Sequence, residues 1–314
     1  MKLRVGTRPS ELSTRQTLEV VDSLRSRHGD LEFEVVKVKT RGDIDRETPL
    51  YRIPVKGIFE REVDLALANG EVDFVVHSLK DYPTTVDQKL ALACVPKRRS
   101  PHDAILCREF GGLGDLPSGC RVGTSSLRRI AHVKNCRPDL DVVPMRGNVD
   151  TRMRKLQRGD CDAIIVAEAG IQRLNLNLKY EVLGFDVMVP AAGQGALAVV
   201  CREGDSDLLN LLRSIEDPTS RFEVEVERKI LGLLGAGCRA PTGVNVKVSE
   251  SRAVVSISSV SPDFKLKVYA VEESEYPCSI DGVAHRAYKR FKDEGGLDII
   301  SMWRERPDPQ GDGC

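Results

Sequence analysis

Two stretches decide the fold: Arg4-Val5-Gly6-Thr7-Arg8-Pro9-Ser10 near the start, and Arg121-Val122-Gly123-Thr124-Ser125-Ser126-Leu127-Arg128-Arg129 far downstream. Each reads as a short strand that passes through Gly-Thr into hydroxyl and arginine side chains and then into a helix. The helices expected are Glu11–Ser26 and Leu127–Asn135. Backbone N–H groups at a helix start, with the helix dipole behind them, favour an anion. The simplest reading is two lobes of like topology, each presenting an anion site at its strand-to-helix turn.

The surrounding sequence agrees. Strands are expected at Leu3–Thr7, Phe33–Thr40, Val72–Ser78 and Leu90–Val95, with a helix at Gly57–Asn69 closed by Gly70. Val72–Ser78 has almost no polar interruption, as a buried parallel strand requires. Pro96 to Pro101 encloses Lys97, Arg98 and Arg99 and reads as a crossover. The alternation then resumes, with strands at Arg121–Thr124, Val142–Met145, Asp162–Ala167 and Val187–Ala192 and a helix at Val149–Arg158. Strands alternating with helices imply βαβ units and parallel or mixed sheets. After Gly193 the texture changes. Helices are expected at Ser206–Ile215 and Ser220–Leu234, then half-exposed antiparallel strands at Val244–Val248, Ala253–Ser259 and Lys265–Val271, a helix at Ile280–Lys292 and a frayed tail from Pro307. At roughly 150 residues per domain, 314 residues give about two domains with room for a third.

Composition narrows the function. Apolar residues at 41% and charged residues at 30% suit a soluble globular protein. Lys+Arg and Asp+Glu are each 47, so the basic excess usual in a nucleic-acid binder is missing. Within the basic set, 31 Arg outnumber 16 Lys, a mild pointer to an anionic ligand that guanidinium forks can grip. The longest apolar runs fall far below the roughly 18 residues a membrane span needs, and the N-terminus has no apolar signal-peptide core. Nine widely spaced Cys and five scattered His form no zinc pattern, so no metal is expected.

His77-Ser78-Leu79-Lys80-Asp81-Tyr82-Pro83 follows a strand, where ligands of open α/β sheets bind. Asp81 is there a candidate for proton transfer or cation stabilisation, or else a turn residue whose carboxylate caps local N–H groups. His77 is expected to be a satisfied strand-end histidine. Arg8, Arg128, Arg129, Arg146, Arg152 and Arg173 lie after strands or in first helical turns, and together they suggest a polyanionic ligand. Thr40-Arg41-Gly42-Asp43 opens a polar stretch reaching Lys56-Gly57, either a lid or a solvated loop. Cys238, next to Arg239 in Ala236-Gly237-Cys238-Arg239-Ala240-Pro241, is either a silent loop thiol or one activated by its basic neighbour.

Read together, these segments resemble the porphobilinogen deaminase (hydroxymethylbilane synthase) family over essentially the whole chain. The matching motifs are Gly6-Thr7-Arg8-Pro9-Ser10, Thr40-Arg41-Gly42-Asp43, Lys56-Gly57-Ile58-Phe59, His77-Ser78-Leu79-Lys80-Asp81, Gly123-Thr124-Ser125-Ser126-Leu127-Arg128-Arg129, Arg146-Gly147-Asn148-Val149, Ala191-Ala192-Gly193-Gln194-Gly195-Ala196 and Gly237-Cys238. The resemblance implies an α/β fold of two type II periplasmic-binding-protein-like lobes flanking a cleft, with a small α+β C-terminal domain. The expected division is 1–96 with a return segment 194–216, 101–190, and 219–314, the last carrying the cofactor cysteine. It implies a transferase of tetrapyrrole (haem-type) biosynthesis, which condenses four porphobilinogen head to tail with loss of ammonia. The product is hydroxymethylbilane, built on a dipyrromethane primer bound covalently to Cys238.

By the same resemblance Asp81 and Lys80 are catalytic, and Arg128, Arg129, Ser126, Lys80 and Asp81 hold the cofactor. Arg8, Ser10, Gln16, Phe59, Ser78, Arg146, Arg152, Arg173 and Gln194 meet the substrate, and Arg41, Asp43, Arg52 and Lys56 belong to the lid. Positive charge develops on pyrrole nitrogens, which a fixed carboxylate stabilises, and every ring carries an acetate and a propionate for Arg to grip. Tyr82, bulkier than the family's usual aliphatic, is expected to crowd the ring beside Asp81. The expected setting is a cytoplasmic monomer without membrane or nucleic-acid partners, passing its product to uroporphyrinogen-III synthase. The rival reading is a two-lobe anion-binding protein without catalysis.

Overall fold

A computed structural model describes residues 2–40, 61–84, 88–235 and 240–305. The unbroken apolar run before His77 becomes β3 (Phe74–Ser78), a strand buried on both faces. Its neighbours are β1 (Lys2–Thr7), which is parallel to it, and β10 (Leu197–Arg202), which is antiparallel. With β2 (Glu32–Lys37) and β4 (Leu90–Cys94) they form a five-stranded sheet ordered β2-β1-β3-β10-β4. α1 (Glu11–Arg27) and α2 (Arg61–Ala68) cover it.

A second five-stranded sheet repeats this plan in the order β7-β6-β8-β5-β9. Its strands are β5 (Asp103–Cys107), β6 (Arg121–Gly123), β7 (Asp141–Val143), β8 (Ala163–Ala167) and β9 (Glu181–Val182). Here β6 is parallel to β7 and β8, and β5 runs antiparallel between β8 and β9. Its helices are α3 (Leu127–Cys136), α4 (Val149–Arg158) and the short α5 (Glu168–Arg173). The two quoted stretches therefore sit at equivalent places, at the ends of β1 and β6. Their glycines share a cause: a Cβ on Gly6 would lie 2.9 Å from Val75, and one on Gly123 would lie 2.7 Å from Met145. Each sheet has a packed core on both faces. The plan is two α/β lobes of like topology, as expected.

The chain crosses between the lobes twice, and the crossings touch where Arg99 N–H donates to the Gly195 carbonyl at 3.3 Å. α6 (Ser206–Arg213) then packs on the first sheet. α7 (Pro218–Leu234) leads to an antiparallel meander of β11 (Gly243–Ser249), β12 (Arg252–Val260) and β13 (Lys267–Glu275). With α8 (Ile280–Asp293) and α9 (Gly296–Glu305) these make the small α+β unit with its own core. Among the described residues no helix is long and apolar enough to cross a membrane.

The expected strand at Val187–Ala192 is not formed. Val187 and Met188 both donate their N–H groups back to the Gly184 carbonyl, and Pro190 has no N–H to offer a ladder. The segment is a buried connector, tied to β11 by a single bond from Val244 N–H to the Pro190 carbonyl. β5, β9, β10, α5 and α9 carried no expectation from sequence. β5 is masked by brevity, by Pro101 before it and by a charged first residue, Asp103.

Candidate active site

β3 ends at Ser78, and the chain turns sharply. Asp81 N–H donates to the Ser78 carbonyl at 3.0 Å, Tyr82 N–H to the Leu79 carbonyl at 3.1 Å, and Leu79 N–H to the Ala196 carbonyl at 3.1 Å. Leu79 is buried and anchors the turn, which leaves Asp81 exposed. The Asp81 carboxylate accepts no hydrogen bond among the described residues, so the capping role open from sequence has no bond to support it.

Lys80 reaches toward the second crossing, its Nζ donating to Gln194 Oε1 at 3.3 Å. Burial pushes its ammonium down to about 8; Asp81 and Asp103 oppose the shift, and Arg129 and Arg128 add to it. A depressed lysine holds its charge below that value and loses it above. We therefore expect the KM for a carboxylate-bearing substrate to rise as pH passes about 8, with Lys80→Gln flattening the rise, in steady-state kinetics from pH 7 to 9.5. The stability effect has the opposite sign. Between about 8 and 10.5 the unfolded chain binds more protons, so folding becomes more favourable with rising pH. A KM that rises because the protein unfolds is thereby distinguished by a melting curve.

From the second lobe, β6 delivers Thr124, Ser125 and Ser126. Ser125 Oγ is engaged with Met145, whereas Ser126, the N-cap of α3, makes no side-chain capping bond. Asn148, at the N-cap of α4, likewise makes none. Two uncapped helix starts thus stand at the carboxyl ends of β6 and β7, as anion binding requires. Arg128 and Arg129 follow in the first turn of α3. Both are buried and both converge on Asp103, the first residue of β5. Their charges hold the Asp103 carboxyl far below the usual carboxylate range against the cost of its burial. On α4, Arg152 Nε donates to the Gly147 carbonyl at 2.9 Å. Its guanidinium is pushed down to about 10, chiefly by burial and then by Arg129, with Asp81 opposing. Among the described residues, Arg146 Nη1 is buried without a hydrogen-bond partner. Lys80, Asp81, Arg128, Arg129, Arg146 and Arg152 are therefore one electrostatic cluster.

Other expected site residues have other employment. Arg173 is not in a first turn but ends α5, and its fork is spent between the lobes, Nε on Glu19 Oε2 and Nη2 on the Gly195 carbonyl, each at 3.0 Å. Glu19 also accepts from Arg99 Nε at 3.2 Å. Ser10 caps α1 by accepting from Ser13 N–H at 3.1 Å. Gln16 Nε2 donates to Ser78 Oγ at 2.7 Å, and Arg8 lies half-buried after β1. Arg41, Asp43, Arg52, Lys56, Phe59 and Cys238 lie outside the described residues.

His77 is the satisfied residue expected, 2.9 Å from Asp64 Oδ1. The expected crowding by Tyr82 is corrected. Its ring is buried, stacked on His77 at 5.3 Å with the Arg228 guanidinium 5.9 Å away, because the turn sends it inward from Asp81. Sequence reasoning missed Asp103, whose only local sign is a carboxylate at the head of an apolar strand.

Comparison with known proteins adds the following. The family described as "Porphobilinogen deaminase, dipyromethane cofactor binding domain" matches residues 3–210. A probable porphobilinogen deaminase of Nitrosopumilus maritimus is 41% identical over 308 residues, covering 98% of each chain. A porphobilinogen deaminase of Desulforamulus reducens is 40% identical over 304 residues, 96% of this chain and 98% of that one. One from Limosilactobacillus reuteri is 38% identical over 301 residues, 94% and 98% of the two chains. Among solved structures, the methionine-binding protein MetQ aligns over 68% of this chain and 89% of its own, with TM-score 0.43 and 13% identity.

Proposed function

The chain belongs to the porphobilinogen deaminase family, and from that premise we propose that it condenses four porphobilinogen head to tail, releasing ammonia, as a hydroxymethylbilane synthase. The single observation that carries the reading is the Asp81 carboxylate, unengaged among the described residues and set among cationic donors. A protein that only bound anions would gain nothing from a free carboxylate there. An enzyme that creates positive charge on pyrrole nitrogens beside ring carboxylates needs both signs together.

The cofactor of this family is dipyrromethane, and the residues present fit it. The Nε/Nη2 edge of Arg128, without a partner among the described residues, and the uncapped Ser126 match its acetate and propionate groups. We assign its attachment to Cys238. When bound, it supplies the nucleophilic pyrrole carbon for the first condensation. Asp81 steadies the cationic ring nitrogen and accepts or returns a proton at its carboxylate oxygens. Arg128, Ser126 and Lys80 hold primer carboxylates, with Arg129 locked on Asp103 behind them; Arg8, Arg146 and Arg152, helped by Lys80, hold those of the incoming ring and growing chain, while Ser78 lines the cleft and the buried Gln16 and Gln194 brace it. Residues 1–96 with 194–216, then 101–190, act as the closing lobes, and 219–314 carries the primer. The enzyme works in the cytoplasm as a monomer and hands its product to uroporphyrinogen-III synthase.

The test is direct. Purified protein given porphobilinogen should release four ammonia per product formed and should colour with Ehrlich's reagent before any substrate is added, because the primer is a pyrrole. A colourless protein that binds porphobilinogen without releasing ammonia would point to the anion-binding rival.

A further inference from the structure

Asp103 is wholly buried, yet its carboxylate accepts four hydrogen bonds from three residues. Oδ2 takes Arg128 Nη1 at 2.7 Å, while Oδ1 takes Arg129 Nε at 3.0 Å, Arg129 Nη2 at 2.7 Å and Gln194 Nε2 at 3.0 Å. A buried carboxylate so thoroughly paired holds its partners in one geometry. One carboxylate also cannot neutralise two guanidiniums, so the cluster keeps a surplus positive charge.

The two arginines are not used alike. Arg129 is locked through all three nitrogens, with Nη1 donating to the Ile165 carbonyl at 2.9 Å. Arg128 is engaged through Nη1 alone, shared between Asp103 and the Val189 carbonyl at 2.8 Å. Its Nε and Nη2 have no partner among the described residues, and they form one edge of the fork. Gln194 extends the arrangement into the first lobe. Its Nε2 donates to Asp103 and its Oε1 accepts from Lys80, so the amide cannot be turned round without losing both bonds.

We propose that Asp103 is the positioning residue of the carboxylate pocket: it locks Arg129, leaves the Nε/Nη2 edge of Arg128 for a ring carboxylate, and orients Lys80 through Gln194. This rests on the deaminase reading. Asp103 touches neither primer nor substrate and acts through groups from both lobes.

The experiment uses the full chain, freed of primer and reloaded with increasing porphobilinogen, with loading read by intact mass. Asp103→Asn should fold by circular dichroism, and its half-loading concentration should rise roughly 10- to 100-fold, since charge-assisted bonds are lost. Asp103→Asn combined with Arg128→Gln should lose less than the sum of the two single losses, because part of the Asp103 effect acts through the Arg128 fork. A folded Asp103→Asn that loads like the wild type, or more tightly because a mere counter-charge was removed, overturns the proposal, as does additivity in the double variant. If Asp103→Asn does not fold, Gln194→Ala decides. It should shift the pH at which KM rises, and an unchanged profile overturns the proposal. A wild-type chain that neither carries the primer mass nor consumes porphobilinogen overturns the functional reading itself, and this inference with it.

Discussion

Asp81→Asn is expected to lose about 10²–10³-fold in porphobilinogen turnover while folding normally. The carboxylate is exposed and bonds to nothing in its own turn, which backbone groups close without it. Removing its charge therefore leaves the turn intact but takes away the group placed to stabilise a cationic pyrrole. Loss of one preorganised electrostatic partner costs roughly 2.7–4 kcal/mol. Asp81→Glu keeps the charge and displaces it by about one methylene, so it should be slow but active. A turn cap would order the variants the other way, because Asn caps nearly as well as Asp and Glu does not. Turnover of both variants, with circular dichroism as the folding control, decides between them; Asn outperforming Glu would sink the catalytic assignment.

Cys238→Ser is expected to abolish the covalent mass excess entirely and, with it, product formation. The wild-type chain should exceed its sequence mass by one dipyrromethane unit. Four of the described cysteines are poor rivals for the attachment. Cys94, Cys161 and Cys201 are buried, and burial raises their thiols, that of Cys201 to about 11, as it also does Cys107. A thioether forms from the thiolate, which such sites disfavour. Mass mapping of proteolytic fragments checks the position: an adduct on Cys94 or Cys201 would overturn the assignment of Cys238 and the role of the third domain.

Much of this was legible because local rules agreed with the fold. The unbroken apolar run before His77 had to be a central strand, and the like stretches at Arg4 and Arg121 had to open like lobes, since both glycines answer a close contact. The Arg residues were legible as a set but not as individuals. Arg173 and Arg129 are consumed by Glu19 and by Asp103, partners distant in sequence that no local pattern reveals. Tyr82 was misjudged because the direction of a side chain in a tight turn follows from the turn geometry, not from its neighbours in the sequence. Val187–Ala192 looked like a strand by composition, but Gly184 captured its N–H groups and Pro190 removed another.

The position of β10 has a consequence for how the protein is made. β10 lies between β3 and β4, and β4 has no other neighbour in its sheet. During synthesis β4 leaves the ribosome about a hundred residues before β10, an interval on the order of 5–20 seconds at bacterial and eukaryotic translation rates. Throughout that interval the first sheet lacks an inner strand, and its apolar faces are incompletely covered. The second sheet has no such gap, since β5 to β9 are contiguous in the chain. The middle of the molecule is therefore the part able to fold first on the nascent chain, and the amino-terminal lobe, though made earliest, closes only when β10 returns to it.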